Sequence, residues 1–233
     1  MITERKRWMT YTYFNRQPDF GFLKTHLFSM VDVALPMMAR VPFPTMVVDL
    51  DSDTYGESWS ASARTKIHRA QQEDLAVDRG SFLLSDILKM FNPRARIKGL
   101  RGFEVSDFDA MPYIECSAVY YDRVMLCGHV WLIDEAEKRA MLYVNASNHA
   151  NEAEDRSLTG RAHYFLLWQD GLYLRHLGMQ TMDLMGYEPN SADESLKGVY
   201  QWKAGTHGRT EVLYHYYPRW FYAFRTFRKK LLG

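Results

Sequence analysis

Residues 113–146 read YIECSAVYYDRVMLCGHVWLIDEAEKRAMLYVNA. Three runs within them, 113–121, 124–133 and 139–146, are rich in β-branched and aromatic side chains and are separated by short polar turns. That spacing predicts an antiparallel meander. Downstream, 147–155 is polar, and 158–177 carries Ala162, Phe165, Leu166, Gln169, Leu172 and Tyr173 at helical spacing, with Gly178 where a C-cap belongs. A short strand at 181–184, a helix at 193–202 and a last strand at 211–217 follow. Upstream, 45–50 is a β-rich run closed by Asp51, Ser52 and Asp53. Trp59, Ala63, Ile67 and Ala70 mark a helix within 57–73, and 75–78 a strand. Phe82, Leu83, Ile87, Leu88 and Phe91 predict a second helix that stops before Pro93, leaving 92–112 as an irregular loop. Helices alternate with a sheet that is antiparallel at its centre. The class is α/β (α+β).

The chain has 233 residues, 47% hydrophobic and 24% charged, enough for one large domain or two small ones with a core that needs no metal or disulfide. A net charge of +1 argues against a dedicated duplex-binding protein, whose affinity rests on a strong positive field. The 15% aromatic content suggests a cleft or contact surface. No apolar run is long enough to span a bilayer, and the charged residues 1–8 lead into no signal-like segment. Cys116 and Cys127 are too few for a disulfide framework and lack zinc spacing, so no metal is expected. These features predict a cytoplasmic globular protein with reduced thiols.

Three segments carry a resemblance. Arg64-Thr65-Lys66-Ile67-His68-Arg69-Ala70 precedes Leu75-Ala76-Val77, a basic helix leading to a short strand. From Tyr164 to Gly186 a helix containing Trp168 is followed by Gly178 and then Met182-Asp183-Leu184-Met185-Gly186. Gly198-Val199-Tyr200-Gln201-Trp202-Lys203 places a Gly before a helix ending in an aromatic–Lys pair. In order and spacing these resemble the GNAT acyltransferase superfamily, in particular its FemAB-like branch. The resemblance covers about two-thirds of the chain, and it departs from the branch at Thr206-His207-Gly208, where an aromatic–Gly pair is usual. It implies an N-terminal extension of uncertain role at 1–40, a GNAT-like acyltransferase domain at 41–216 and a basic aromatic helix at 217–233. It further implies an N-acyltransferase taking acyl-CoA as donor substrate, with no permanently bound cofactor. The acceptor it suggests is the amino group of a nucleotide- or lipid-linked amino sugar in cell-envelope polysaccharide synthesis. An aminoacyl-tRNA-dependent transferase is the alternative, weakened because neither a second unit nor heptads are seen. A non-catalytic module of an envelope-synthesis complex is a third reading.

Acyl transfer to an amine requires that donor phosphates be held, a carbonyl polarised and a proton removed. The resemblance puts the donor at Ser157, Gly160, Arg161 and Ala162, taken as a helix start whose free amides favour anions, with Arg156 adding charge. An ordinary helix start capped by Asp155 or Ser157 is the plainer reading. Lys203 is the expected reacting-centre cation, against a plain helix-terminal charge. Asp183, a carboxylate in an apolar strand, either handles the acceptor amine or pairs with an Arg. His129 is the histidine placed among the catalytic candidates, with His149, His163, His207 and His215 also open as bases. Arg64, His68 and Trp202 are the expected acceptor-binding residues, with Lys66 on the same charged helix. Five basic and no acidic residues among many aromatics in 217–233 suggest peripheral contact with the inner membrane face or a docked terminal helix.

Overall fold

The structure, a computed structural model, describes residues 2–6, 8–50, 54–109, 111, 113–148, 153–188, 190 and 194–232, with 2, 6, 153–156, 194–195 and 228–232 as backbone only. In chain order the elements are β1 (Ile2–Lys6), β2 (Met9–Tyr13), β3 (Lys24–Ser29), β4 (Met38–Asp49), α1 (Ala61–Ala70), β5 (Ala76–Arg79), α2 (Leu84–Ile97), β6 (Ile114–Tyr121), β7 (Val124–Asp134) and β8 (Arg139–Ser147). There follow α3 (Ala153–His176), β9 (Thr181–Gly186), α4 (Glu194–Ala204), β10 (Arg209–Pro218) and α5 (Arg219–Leu232). Among the described residues ten strands form one mixed sheet, ordered β1-β2-β3-β10-β4-β9-β8-β7-β6-β5. The expected meander is β6-β7-β8, antiparallel throughout. Two pairings are parallel, β2 with β3 and β8 with β9.

Strand β7 is buried from Leu126 to Asp134 because both faces of the sheet are covered there. On one face Cys127, Trp131 and Ile133 pack with Ala63, Ile67 and Ala70 of α1 and with Leu166, Leu167 and Leu174 of α3. On the other, Val130 and Leu132 pack with Leu84, Ile87 and Leu88 of α2. A strand sandwiched in this way reads as a continuous apolar run rather than an alternating one.

Two expectations change. Helix α2 does not stop before Pro93 but runs through it to Ile97. Pro93 and Lys89, whose carbonyl loses its intrahelical donor, are both exposed, so water replaces the missing bond. Asn92 then pins the following loop, donating to the Phe103 carbonyl (2.8 Å) and accepting from the Phe103 amide (2.9 Å). Residues 92–97 of the expected irregular loop are therefore helix. Strand β4 begins at Met38 rather than Thr45, although it contains Pro42 and Pro44. Over those prolines it pairs with β10 alone, so their lack of an N–H costs no ladder bond on the open side. Residues 1–40 hold β1, β2 and β3, which extend the sheet beyond β10.

The feature that creates the site is the junction of β8 with β9. The strands pair only at Arg139–Met141 with Thr181–Asp183. Beyond that point β8 continues along β7 to Ser147, while β9 continues along β4 to Gly186. A bulge adds to the divergence: Val130 faces Val144 and Trp131 faces Leu142, leaving Tyr143 as the extra residue.

Candidate active site

Where β8 and β9 part, a cavity of about 770 Å³ opens. Its walls include Leu142, Tyr143 and Asn145 of β8 and Leu184 and Met185 of β9. On the side of α1 and α3 it reaches Lys66, Gly160, His163, Tyr164, Trp202 and Lys203. On the opposite side of the sheet it reaches Phe91 and Arg94 of α2 and Lys98 just past its end. The cavity thus passes from one face of the sheet to the other through the gap between the strands. A second groove of about 440 Å³, between α1 and α3, is lined by Ser62, Thr65, Lys66, Arg69, Ser157, Gly160 and Arg161. The two share Ser62, Lys66 and Gly160 and are continuous there.

Lys203 lies in the cavity wall and is only 7% exposed. Its Nζ donates to the carbonyls of Gly186 (2.6 Å) and Met185 (3.3 Å). An ammonium has three protons, so one remains for a ligand. Burial pushes the Lys203 pKa down to about 8, and the nearby Asp183 carboxylate opposes that fall. The carbonyl cradle depends on a turn at the end of β9, where Met185 adopts φ +65°, a left-handed conformation rare for such a side chain. The Met185 amide donates to Asp183 Oδ1 (2.7 Å), which holds that turn.

Asp183 is fully buried and does not line the cavity. Oδ1 accepts from the Thr45 hydroxyl and the Met185 amide, and Oδ2 from Arg139 Nη2 (2.6 Å) and Nε (3.2 Å). Four donors occupy its acceptor sites, leaving no lone pair for an acceptor amine. The pairing with an Arg is the reading the structure favours, and the role of Asp183 is to position the Lys203 cradle.

His129 is likewise fully buried, one layer behind the cavity. Its Nδ1 is 2.8 Å from Asp170 Oδ2. Asp170 also accepts from Ser117 (2.8 Å), Trp131 (2.9 Å) and Arg79 (2.6 Å). A carboxylate only accepts, so the Nδ1 of His129 carries the proton that it donates to Asp170. Nε2 has no hydrogen-bond partner among the described residues. Its ring is 5.8 Å from that of His163, which lines the cavity and lies 5.9 Å from Trp202. Asp170 was not singled out from the sequence, although a carboxylate inside the apolar stretch 165–174 is a readable signal.

The four residues expected at the donor site are arranged differently from the expectation. Helix α3 starts at Ala153, so the amides of Ser157, Gly160, Arg161 and Ala162 lie beyond its first four and bond within the helix. They offer no anion cradle. Ala162 is buried in the core, while Ser157, Gly160 and Arg161 line the groove with their outer surfaces. Gly160 has nothing within 4 Å of where a Cβ would stand, which keeps the groove open. Arg161 donates to Glu73 (2.8 Å) and to Ser157 Oγ (2.7 Å). The side chains of Asp155 and Arg156, and all of His149, fall outside the described residues.

On α1 the sequence-expected Arg64 and His68 are not in either wall. Arg64 binds the carbonyls of Glu57 and Trp59 (2.9 Å for the latter), and His68 meets Gln72 (3.2 Å). The cations facing the groove are Lys66 and Arg69. Helical period explains the difference: Ala63, Ile67 and Ala70 face the core, Ser62, Lys66 and Arg69 flank them on one side, and Arg64 and His68 on the other. Lys66 stands over the Tyr164 ring at 5.0 Å, and Tyr164 donates to the Trp202 carbonyl (3.0 Å). Trp202 lines the cavity as expected. His207 and His215 do not line it: His207 binds the Ser58 carbonyl (2.7 Å), and burial pushes His215 down to about 4. Among the described residues no cluster of His, Cys, Asp or Glu is arranged to hold a metal.

No family model and no curated protein matches the chain. Solved structures do. FemX aligns with a TM-score of 0.61 at 14% identity over 75% of this chain and 61% of FemX, so the chain spans about three-fifths of that protein's length. The C-terminal domain of a putative lysylphosphatidylglycerol synthetase from Agrobacterium fabrum aligns at 0.56, with 14% identity over 83% of this chain and 67% of that one. L-PGS from Bacillus licheniformis aligns at 0.53, with 12% identity over 78% and 62%. At these identities the likeness is one of fold. The likeness to FemX supports the FemAB-like fold that the sequence resemblance implied.

Proposed function

We propose that the protein is an N-acyltransferase that binds an activated, phosphate-bearing acyl donor along α1 and α3 and passes its acyl group through the sheet to an amine held on the side of α2. The observation that carries this reading is the continuity of the basic groove, Lys66 and Arg69, with a through-sheet cavity that Lys203 lines. In the reaction the amine nitrogen attacks the donor carbonyl carbon, and Lys203 stabilises the oxygen that becomes negative. The bond to the leaving group then breaks, and that group leaves with the electron pair and is reprotonated. The proton shed by the amine passes to His163 at the wall. Behind it stands the buried His129, whose ring lies 5.8 Å from that of His163. Asp170 stabilises the imidazolium that would form there.

Acyl-CoA is the donor most in keeping with the gap itself. Past Met141 and Asp183 the facing edges of β8 and β9 are unpaired with each other, and an extended chain bearing amides, such as a pantetheine arm, can bond to both. An aminoacyl-tRNA donor is the second reading. It is favoured by the likeness to FemX and by a groove whose cations are side chains rather than helix-terminal amides. Arg94 and Lys98 at the α2 mouth suit an acceptor carrying phosphate, as a nucleotide- or lipid-linked amino sugar does.

Thermal denaturation with ligands decides between them. Coenzyme A at a hundred times its dissociation constant is expected to stabilise the fold by about 2.7 kcal/mol, and Lys66→Glu is expected to remove that gain. Stabilisation by charged tRNA and none by coenzyme A selects the second donor. Stabilisation by neither, or coenzyme A binding indifferent to Lys66, overturns the donor groove.

A further inference from the structure

The end of the sheet away from the meander carries an aromatic layer that the proposed chemistry does not use. Three segments separate in sequence meet there: Trp8 between β1 and β2, Phe22 ahead of β3, and Trp220 in the first turn of α5. Trp220 stacks on Trp8 at 5.5 Å and on Phe22 at 5.3 Å, and its Nε1 donates to the Phe22 carbonyl (3.0 Å). These contacts fix the rings without burying them: Trp8 is 50% and Phe22 64% exposed. Further along α5, Phe224 and Phe227 are 58% and 62% exposed. Several large rings held in one exposed layer are far from the scattered single apolar residues of an ordinary surface.

Charge says what covers the layer. Arg219 and Arg225 are exposed on α5, Arg225 lying over the Tyr217 ring at 4.7 Å, and Arg5 is exposed on β1. The sequence of α5 adds Arg228, Lys229 and Lys230, and 217–233 contains no acid. Asp19, the nearby carboxylate, is bound by Lys24 (2.7 Å). A second copy of the chain would set this basic helix against itself, because a two-fold interface presents the same patch from both sides. An anionic surface of lipid headgroups meets both features, taking aromatic rings at the interface and cations against phosphate. Among the described residues no helix is long and apolar enough to cross a membrane, so such a helix would lie along the surface.

We propose that Trp8, Phe22, Trp220, Phe224 and Phe227, with Arg219 and Arg225, form a docking face for anionic lipid bilayers. The inference does not depend on the identity of the donor or acceptor. The experiment is co-sedimentation of the full chain with vesicles of phosphatidylcholine alone or mixed with phosphatidylglycerol, alongside tryptophan fluorescence. Binding to the mixed vesicles is expected, reduced by high salt and accompanied by a blue shift as Trp8 and Trp220 leave water. Phe22→Ser with Phe224→Ser and Phe227→Ser is expected to weaken partitioning roughly tenfold or more with an unchanged Tm, since these rings are mostly solvated already. Phe82→Ser, which removes an equally exposed ring at 71% from another part of the surface, is expected to leave binding intact. Equal binding to neutral vesicles, loss of binding in the Phe82 variant as well, or no vesicle binding together with a dimer that the triple variant dissociates, would each overturn the proposal.

Discussion

Replacing Lys203 with Met tests whether a buried ammonium is held at the reacting centre against its own solvation. Burial brings the Lys203 pKa from 10.5 to about 8, which corresponds to about 3 kcal/mol held against the charged form in the folded state. Lys203→Met keeps the length and apolar stem and removes the charge. It also strips a donor from the carbonyls of Gly186 and Met185, at about 1 kcal/mol each. The balance at neutral pH is a variant more stable than the parent by roughly 1 kcal/mol, and inactive.

The sharper test lies in pH. Below about 8 both folded and unfolded chains hold the Lys203 proton, and the full penalty applies. Between 8 and 10.5 the unfolded chain binds a proton that the folded protein has shed, so stability rises with pH across that window and levels off above it. From pH 7 to pH 9.5 this one group contributes a gain of about 2 kcal/mol, which the variant lacks. Urea denaturation of both proteins at the two pH values isolates it, because tyrosines and thiols common to both cancel in the difference. A stability difference between parent and variant that is the same at both pH values would refute the depressed pKa. The proposed role of Lys203 as a partly desolvated cation would fall with it.

Gly171→Ala, a change that favours an ordinary helix by about 1 kcal/mol, is expected here to destabilise by about 1–3 kcal/mol in urea. The added Cβ would stand 1.9 Å from the Tyr55 hydroxyl, which bonds the Leu167 carbonyl (3.2 Å) inside the core; unchanged stability would refute that packing. Asp170→Asn is expected to cost about 3–5 kcal/mol at neutral pH, because Arg79 and His129 lose the carboxylate they share. Burial works to raise the Asp170 pKa, but the bonds and charges of His129 and Arg79 bring it below the ordinary value. Its contribution is therefore present above the usual carboxylate range and lost as pH falls below it, so the deficit of the Asn variant should shrink in acid denaturation.

The meander was readable because its runs are long, β-branched and joined by short polar turns. Strands β1, β2 and β3 were not, since they are five or six residues long and carry charged and threonine side chains that alternate weakly. The gap between β8 and β9 has no local signature at all. It arises because Arg139–Met141 meets Thr181–Asp183 across the whole of α3, and the bulge at Tyr143 shows only once the partner strand is in place. The start of α3 was misplaced for a different reason. Residues 147–155 are polar and hold no apolar stripe, so periodicity begins only where the helix meets the core. On α1, by contrast, the cations that face the groove follow from the spacing of Ala63, Ile67 and Ala70, which puts Lys66 and Arg69 on one flank and Arg64 and His68 on the other.

Asp183 shows how a residue singled out in the sequence can act through its neighbours rather than on a ligand. A carboxylate in an apolar strand must have a reason to be there, and acid–base work was one of two readings. The structure gives it four donors and no access to the cavity. It nonetheless acts on Lys203 in two ways. It fixes the left-handed turn at Met185 that aims two carbonyls at Lys203, and its charge limits how far burial lowers the pKa of that lysine. Arg139, bound to both Asp183 and Glu211, pairs with the carboxylate from behind. The site is therefore layered: one cation on the cavity side, one carboxylate beneath it, and a second cation beneath that. Removing the middle charge would leave two buried cations facing each other across the end of β9, and for that reason the triad belongs to the architecture of the site even though only its first member touches the cavity.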